Sequence, residues 1–543
     1  RPGPSLNLKT RVGDCAEAAL HRNLKVMSAS KEARSVTRVV MPAVVEEAAD
    51  RSAVADTYGG RVHVEWDPSA AVTPLGQLPF FAEFLKQSGL FDAWVSDSPL
   101  RYVSPNAPKK RDVLGTALLG ALGGCRRYAH LTALRCDRVN PPLLGMTKIV
   151  SEDAVRRGLG SIDAASGEMW MGEHLLHCVR PLLSEPWILD VDTTVKPLYG
   201  HQEGAEVGYN PSKRGRPSHS LHTYLMANVR LVLDVEARSG KQHSSGHSQE
   251  ALWRLLERIG RSNWPSLLRG DSNWGSETVL QRCEQEGLPY LLRLRQTAKV
   301  KQALERAMSD RDWAYAGHGW QGKEAALRLM GWSRSRRVIL LRRRLKGTVE
   351  LTDRAGKDGQ LQLSLVEVGA DRQLWEHGAL VTSSEAEIIT LGQLYRDRGD
   401  CENAFDELKN QWGWGGFTTH DLARCRLMAR IVALAYNWWT LFGRLADPDR
   451  HREAITSRPL MMHAIARRTE HAGRTTLTIT STHGDHAEVR RAYRRIAAFF
   501  DGLRSTAEQL SPLQRLYRIL SEAMKKFLRG RQLRPPPFSL TAA

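Results

Sequence analysis

Residues 187–192 read Trp-Ile-Leu-Asp-Val-Asp, an apolar run that ends on two acids. A short apolar run of this kind predicts a buried strand, and side chains two positions apart on a strand point to the same side. Asp190 and Asp192 can therefore face one cluster, and the strand alone leaves both open as the functional acid. An Asp-x-Asp pair also binds metal–nucleotide complexes in glycosyltransferases, but no other feature of the sequence supports a nucleotide-sugar site.

Downstream of this strand, the hydrophobic pattern alternates between the period of a strand and that of a helix. The predicted strands lie at 221–229, 231–236, 265–270 and 290–294, and the predicted helices at 248–260 and 276–287. The strand at 265–270 ends at a second acid, Asp271. Three strands, a helix and a strand that carries an acid describe the first half of a ribonuclease-H-like fold. Such a fold brings acids from separate strands and one helix into a single cluster.

A charged segment further along the chain is the most informative for chemistry. Residues 395–409 read YRDRGDCENAFDELK. On one continuous helix, at roughly 100° per residue, Tyr395, Arg398, Glu402 and Lys409 share a stripe about 60° wide. An acid flanked by cations suits a site that holds both a metal ion and phosphate.

Spacing alone leaves a second interpretation of this segment open. Arg398 and Glu402 are also an i, i+4 pair, so the stripe could be a solvated face with salt bridges. Asp406 lies one turn beyond Glu402 and close to the same stripe. Geometry on a helix therefore does not select the acid.

The same four residues resemble a known signature. Their order and gaps match the YREK signature of the DDE insertion-sequence transposases, whose core is ribonuclease-H-like. The resemblance covers about 187–440. In that family the first Asp ends the first core strand and is often followed by Thr, as in Asp192-Thr193-Thr194 here, which favours Asp192 over Asp190. The second Asp follows a later strand, as Asp271 does.

This resemblance implies a set of ligands and roles. Asp192, Asp271 and Glu402 would be the catalytic residues and would bind two Mg²⁺ ions, with Mn²⁺ as a possible substitute because both suit hard oxygen ligands. Arg398 and Lys409 would bind phosphates near the cut end of the DNA, and Tyr395 would help to position that strand. A pair of such ions suits in-line displacement at phosphorus.

Charge and composition agree with a polyanionic partner. The chain has 543 residues, with 78 Lys and Arg against 59 Asp and Glu, and a formal net charge of +19. Such a surplus favours nucleic acid or an anionic membrane surface. The longest apolar stretch, 427–443, contains Arg430 and is typical of a buried helix, so no membrane partner is expected. The seven cysteines form no CxxC pair, which suits a reducing compartment. We expect a cytoplasmic, nucleoid-associated bacterial protein.

Changes of pattern divide the chain into six predicted regions. They are an N-terminal arm at 1–60, a helical DNA-binding region at 61–185, the first half of a catalytic core at 186–295, a β-rich insertion at 296–378, the second half of the core at 379–445 and a basic helical region at 446–543. The expected fold class is therefore α/β, a ribonuclease-H-like mixed sheet with a β-rich insertion and mainly helical ends.

Two further features are candidates for contact with DNA. Lys213-Arg214-Gly215-Arg216 could enter a narrow A·T-rich minor groove, or it could be a basic hairpin loop that touches phosphates. Trp274, three residues after Asp271, could stack on an unpaired base. The competing aromatic candidates, each of which could instead be a core residue, are Trp313, Trp320, Trp332 and Trp375.

These features together predict a cut-and-paste DNA transposase that cleaves transposon ends and transfers the strand into target DNA. Relatives with this signature usually excise through a DNA hairpin, which is a hypothesis for this chain. Two DNA ends need two active sites, so we expect a homodimer in the DNA complex. The alternatives are a structure-selective nuclease on the same fold and a domesticated, non-catalytic DNA-binding protein. Strand-transfer products would exclude the nuclease, and terminal inverted repeats flanking the gene would favour a mobile element over both alternatives.

Overall fold

The computed structural model describes residues 52–210, 213–242, 246, 248–345, 366–368, 374–480, 485–506 and 509–535. The chain divides into two compact units, 1–69 and 70–543. In the first unit, β1 (Ser52–Thr57) and β2 (Gly60–Glu65) form an antiparallel hairpin. Most of the arm predicted at 1–60 lies outside the described residues.

The second unit begins with a short strand, β3 (Val72–Thr73), and continues as a helical region. Its helices are α1 (Leu78–Ser88), α2 (Leu90–Ser96), α3 (Lys110–Leu122), α4 (Asn140–Leu143), α5 (Glu152–Gly160) and α6 (Ala164–His177), with 3₁₀ turns at Tyr128–Cys136 and Arg180–Ser184. Two of these helices start at capping residues, because Ser151 accepts from Ala154 N at 3.2 Å and Asp163 from Ser166 N at 2.9 Å.

A mixed sheet forms the centre of the second unit. Its first strands are β4 (Ile188–Pro197), β5 (Glu206–Val207), β6 (Pro217–Met226), β7 (Leu231–Ser239), β8 (Leu267–Gly270) and β9 (Tyr290–Arg293). The core strands lie in the order β7-β6-β4-β8-β9, in which β4 is antiparallel to β6 and parallel to β8. Helices α7 (Gln249–Ile259) and α8 (Glu277–Gln285) connect β7 to β8 and β8 to β9. This order confirms the predicted ribonuclease-H-like mixed sheet.

The segment predicted as an insertion adds strands to the same sheet. After α9 (Ala298–Met308) come β10 (Ala314–Gly317), β11 (Trp320–Leu327), β12 (Arg336–Arg344), β13 (Val366–Val368) and β14 (Leu374–Thr382). Strand β14 pairs with β9 through Leu380 and Arg293, so these strands extend the sheet beyond β9. The segment is therefore continuous with the core in its backbone hydrogen bonding.

The described residues after β14 form helices and one hairpin. The elements are α10 (Ile388–Arg396), α11 (Gly399–Asn410), α12 (Leu422–Ala446), α13 (Ala454–Met461), β15 (Ala466–His471), β16 (Arg474–Ile479), α14 (His486–Ser505) and α15 (Pro512–Ala523). The long helix α12 packs on the sheet, where Asn437 pairs with Val232 N at 2.8 Å and Val232 O at 2.7 Å. Within the described ranges, no helix is both long and apolar enough to cross a bilayer.

Candidate active site

Two parallel strands bring the first two acids together. Val191 on β4 is in register with Gly270 on β8, and Asp192 and Asp271 directly follow these residues. Asp271 also begins a turn, because its carboxylate accepts from Asn273 N at 3.0 Å and from Asn273 Nδ2 at 2.9 Å. The carboxyl ends of parallel strands meet at one edge of a sheet, which places both acids at the same edge.

The third acid comes from a kinked helical segment, not from the single helix that the sequence predicts. Helix α10 ends at Arg396 and α11 begins at Gly399, with Arg398 at the N-cap. Arg398 N donates to Tyr395 O at 3.2 Å and Cys401 N donates to Arg398 O at 2.9 Å, bonds that span three residues and tighten the turn. The predicted stripe of four side chains on one continuous helix is therefore wrong, and Glu402 lies in the first turn of α11.

Arg398 connects two of the three acids. Its guanidinium donates from Nη2 to Asp192 Oδ2, and from Nη1 to Glu402 Oε1 at 3.1 Å. The side chain of Arg398 is 6% exposed and that of Asp192 14%, whereas that of Glu402 is 67% exposed. One cation thus joins an acid at the sheet edge to an acid that faces solvent.

Burial and mutual repulsion set the charge state of the acids. Burial raises the pKa of Asp192 to about 6, because the lowering effect of Arg398 is opposed by the nearby charges of Asp271 and Glu402. Burial also raises the pKa of Asp271, although the Asn273 N–H and Arg398 lower it. Burial likewise raises the pKa of the Tyr395 hydroxyl. The three acids therefore share one electrostatic environment, in which a cation relieves their repulsion.

Asp271, Arg398 and Glu402 line a cavity of about 580 Å³. The cavity wall also includes Tyr395 and Trp320, which the sequence analysis names, and three cations that it does not name, Arg293, Arg295 and Arg396. A topological signal could have found two of these cations, because Arg293 ends β9 and Arg295 follows it, and β9 is the next parallel strand beyond the one that precedes Asp271. The cavity combines two of the three acids, Asp271 and Glu402, with a cationic and aromatic wall.

The donor chemistry of the three acids fits a hard divalent cation, since carboxylate oxygens are its preferred ligands. Among the residues that the structure describes, however, no three His, Cys, Asp or Glu side chains lie close enough together to hold a metal ion. The Arg398 guanidinium lies between Asp192 and Glu402 and pairs with both.

The two rival acids lie elsewhere. Asp190 is fully buried and both of its oxygens accept hydrogen bonds from Arg269. Asp406 is exposed and accepts from Asn410 Nδ2 at 2.7 Å, and the cavity is lined by Glu402 instead. The geometry thus favours Asp192 and Glu402 over their rivals.

Comparison with protein families identifies the chain. The family described as "Transposase DDE domain group 1" matches residues 109–500, which is about 70% of the sequence. The chain belongs to this family. The protein is accordingly a transposase, an enzyme that acts on DNA and depends on a divalent metal ion.

Two further comparisons were made. Among solved structures, the cryo-EM structure of the piggyBac transposase synaptic complex with hairpin DNA is similar to this transposase, with a TM-score of 0.35 and 12% identity over 84% of this chain and 85% of that chain. No curated protein matches the sequence.

The other predicted DNA-binding residues of the transposase lie outside the cavity wall. Lys409 is half-buried in the last turn of α11. Lys213, Arg214 and Arg216 are exposed in the loop before β6, where Lys213 and Arg216 lie over the Tyr199 ring at 4.9 and 4.6 Å. The loop is therefore a basic surface, and two of its three cations lie over one tyrosine ring.

Trp274 is not available for stacking in this structure. Its side chain is fully buried in the hydrophobic core, because the turn that Asp271 begins directs the ring inward. Trp313 and Trp332 are also buried, and Trp375 does not line the cavity. Of the five tryptophans considered from the sequence, Trp320 is the one on the cavity wall. Trp274 therefore lies in the core and Trp320 on the cavity wall, and the stacking role of a tryptophan stays a prediction.

Proposed function

We propose that this transposase cleaves the ends of its transposon and joins the freed 3′-hydroxyl to target DNA by a cut-and-paste route. The observation that carries the proposal is that Asp192 and Asp271 lie at the same edge of two parallel strands, and that Arg398, which lines the cavity with Asp271 and Glu402, bonds both Asp192 and Glu402. Three carboxylates from separate elements suit a site for two Mg²⁺ ions, for which Mn²⁺ could substitute. When bound, such a pair would activate a water or a 3′-hydroxyl and stabilise the leaving oxygen.

The residues of the chain itself would bind and orient the DNA strand. Arg398 now bonds one oxygen of Asp192 and one oxygen of Glu402. A phosphate offers two acceptor oxygens that could replace them. Arg293, Arg295 and Arg396 supply further positive charge along the cavity. Trp320 lines the cavity while Arg343 lies over its ring at 4.9 Å, and a base would stack on the side of the ring away from Arg343. Tyr395 and Lys409 would hold the strand on either side of Glu402.

The basic loop that contains Lys213, Arg214 and Arg216 would contact the phosphate backbone of the duplex outside the cavity. Its exposure and the high net charge of the chain support this role. Binding should weaken steeply as salt rises, because phosphate contacts release counterions. A synaptic complex would contain two copies of the chain, one for each end, on bacterial DNA in the cytoplasm.

The first test is cleavage of a duplex that carries the terminal inverted repeats flanking the gene, in the presence of Mg²⁺. Glu402→Gln removes a charge from the acid cluster but keeps the side-chain size, so we expect cleavage to vanish while DNA binding persists. Asp406→Asn is the matched control, because Asp406 lies one turn along the same helix and outside the cavity. Normal cleavage by Glu402→Gln, or loss of cleavage in Asp406→Asn, would overturn the assignment of the third acid.

Two assays test the finer steps. Cleavage of a pre-nicked transposon end should give a covalently closed hairpin product on a denaturing gel, and open double-strand breaks alone would exclude the hairpin route. Incubation of the cut end with a supercoiled plasmid should give strand-transfer products. Cleavage without strand transfer would instead favour a structure-selective nuclease.

A further inference from the structure

Arg269 and Asp190 form a fully buried ion pair, and they precede Asp271 and Asp192 by two residues along the chain. Arg269 Nε donates to Asp190 Oδ1 at 2.7 Å and Arg269 Nη2 donates to Asp190 Oδ2 at 2.7 Å. Both side chains are 0% exposed. The fork of the guanidinium thus matches both carboxylate oxygens, which is the strongest geometry available to such a pair.

This pair joins the two strands that carry the catalytic acids. Asp190 on β4 and Arg269 on β8 are direct partners in the parallel ladder. Each precedes an acid by two residues, since Asp192 follows Asp190 and Asp271 follows Arg269. Residues two apart on a strand lie on the same face. The pair therefore fixes the register of the two strands, two residues before the acids.

The remaining nitrogen of Arg269 reaches the helical segment that carries the third acid. Arg269 Nη1 donates to the carbonyl oxygen of Leu394, one residue before Tyr395. In a continuous α-helix this carbonyl would accept from Arg398 N, four residues on. Here Arg398 N donates to Tyr395 O instead, at 3.2 Å. The guanidinium therefore satisfies a carbonyl that the kink between α10 and α11 leaves without its usual helical donor.

We propose that Asp190 and Arg269 are positioning residues for the active site. They hold three elements in one arrangement: the strand of Asp192, the strand of Asp271 and the kink from which Arg398 and Glu402 face those acids. Stability alone does not require an ion pair here, because well-packed apolar residues of similar volume often replace a buried pair at no cost. A guanidinium that bonds two strands and one helix end at once provides geometry that apolar side chains cannot provide.

This inference rests on the proposed cleavage reaction, and its test uses the full chain with terminal-repeat duplex and Mg²⁺. The main variant is the double substitution Asp190→Leu with Arg269→Met, which removes both charges together and so leaves no unpaired buried ion. Arg269→Lys is the second variant, because it keeps the charge but cannot bond all three partners at once. Unfolding is monitored alongside cleavage.

A matched control pair lies elsewhere in the core. Arg430 Nε on α12 donates to Asp234 Oδ1 on β7 at 2.8 Å, and the two side chains are 2% and 6% exposed. The double substitution Asp234→Leu with Arg430→Met also removes a buried acid and a buried arginine. It additionally takes these partners from Arg258 and Glu168, whose side chains are 28% and 43% exposed. It should alter stability but not the catalytic constants of the folded protein.

We expect the Asp190/Arg269 double variant to remain folded and to bind DNA with little change in KM. Its kcat should fall about a hundredfold, the size of effect that a displacement near 1 Å can produce. Half-maximal cleavage should also need more Mg²⁺, a change that a purely structural role would not cause. Arg269→Lys should not restore kcat. A wild-type kcat and Mg²⁺ dependence in the double variant would overturn the proposal.

Hydrogen exchange distinguishes failure of this inference from failure of the proposed function. If the wild-type chain does not cut the duplex, the cleavage proposal fails but the positioning role still predicts a local effect. Amides of residues 394–402 should exchange faster in the Asp190/Arg269 double variant than in the Asp234/Arg430 control. Equal exchange in this segment would overturn the positioning role.

Discussion

Two arginines contact the acids of strand β4, and they do so in opposite ways. Arg269 donates from Nε and Nη2 to Asp190, in a pair with no exposed surface, and from Nη1 to the Leu394 carbonyl. Arg398 divides its guanidinium between Asp192 and Glu402, which belong to different elements. The two contacts lie only two residues apart along the strand. The Arg269 contact is fully buried, whereas the Arg398 contact borders a cavity.

The difference shows how one strand can carry both a structural ion pair and a site for exchangeable ligands. Arg269 bonds Asp190 and the Leu394 carbonyl, and both side chains are closed off from solvent, so a ligand does not reach this pair. Glu402 is largely exposed and Asp192 keeps a raised pKa of about 6 because burial and nearby acids outweigh Arg398. A metal ion could therefore bind the two carboxylates in place of Arg398, and a phosphate could bind the Arg398 guanidinium in place of the carboxylates.

The largest expected effect is a loss of cleavage on substitution of Asp192, in contrast to a loss of stability on substitution of Asp190. Asp192→Asn should lower cleavage about a thousandfold, because loss of a metal ligand costs several kcal/mol of transition-state stabilisation. Its unfolding free energy should change little. Asp190→Asn leaves a buried cation without its counter-charge and should lower the unfolding free energy by about 3–5 kcal/mol. Denaturant unfolding and single-turnover cleavage measure the two quantities. If both variants lost stability and activity to the same extent, the two contacts would not be functionally distinct.

A second prediction addresses the exchange of partners at Arg398. Arg398→Gln should lower cleavage about a hundredfold through loss of a charged donor to phosphate. The same variant should bind Mn²⁺ more tightly in the absence of DNA, because no cation competes for Asp192 and Glu402. Mn²⁺ titration followed by electron paramagnetic resonance measures this affinity. Weaker Mn²⁺ binding would mean that Arg398 organises the acids rather than competing with the metal.

Most of the fold follows from local pattern in the sequence. The strand predicted at 187–192 is the start of β4, and the helices predicted at 248–260 and 276–287 match α7 and α8 within two residues at each end. Their apolar periodicity is strong because each packs on the sheet. The attachment of β14 to β9 was not predictable, since pairing between strands 90 residues apart depends on tertiary structure, not on local pattern.

For the candidate site, a motif in the sequence selected residues, whereas the contacts between those residues could not be predicted. The resemblance selected Asp192, Asp271 and Glu402, but helical spacing implied one continuous helix through Arg398. The kink depends on a donor from another strand, Arg269, and no periodicity within 395–409 reports such a contact. The inward direction of Trp274 likewise depends on the turn that follows Asp271.

A third prediction tests the tryptophan on the cavity wall. Trp320→Ala should lower cleavage about tenfold, since stacking of a base on an aromatic ring contributes roughly 1–3 kcal/mol. Trp274→Ala is the contrasting variant, because its ring is fully buried and its loss should lower the unfolding free energy by about 3–5 kcal/mol. Cleavage at saturating DNA and thermal unfolding provide the two measurements. Unchanged cleavage in Trp320→Ala would remove the aromatic wall from the proposed site.

The smallest expected effect concerns Glu284, a carboxylate whose pKa is lowered by arginines more than it is raised by burial. Although burial raises the pKa of Glu284, hydrogen bonds from Arg336, Arg334 and Tyr290 lower it to about 2. Arg336 Nε donates to Glu284 Oε1 at 2.7 Å, which ties β12 to α8. Asp192 has one shared arginine and two acidic neighbours, so its pKa moves in the opposite direction.

This depressed pKa predicts how the stability of the transposase depends on pH. The unfolded carboxyl titrates near 4.3, so Glu284 contributes its full stabilisation above that pH and loses it as pH falls toward 2. Glu284→Gln should therefore lower the unfolding free energy by roughly 1 kcal/mol at neutral pH, and the difference from wild type should shrink between about pH 5 and pH 2. Denaturant unfolding of both proteins across this range measures it. A difference that stayed constant with pH would mean that the Glu284 charge contributes nothing and that only the shape of the side chain matters, in contrast to the charge-dependent contacts of Asp190 and Asp192.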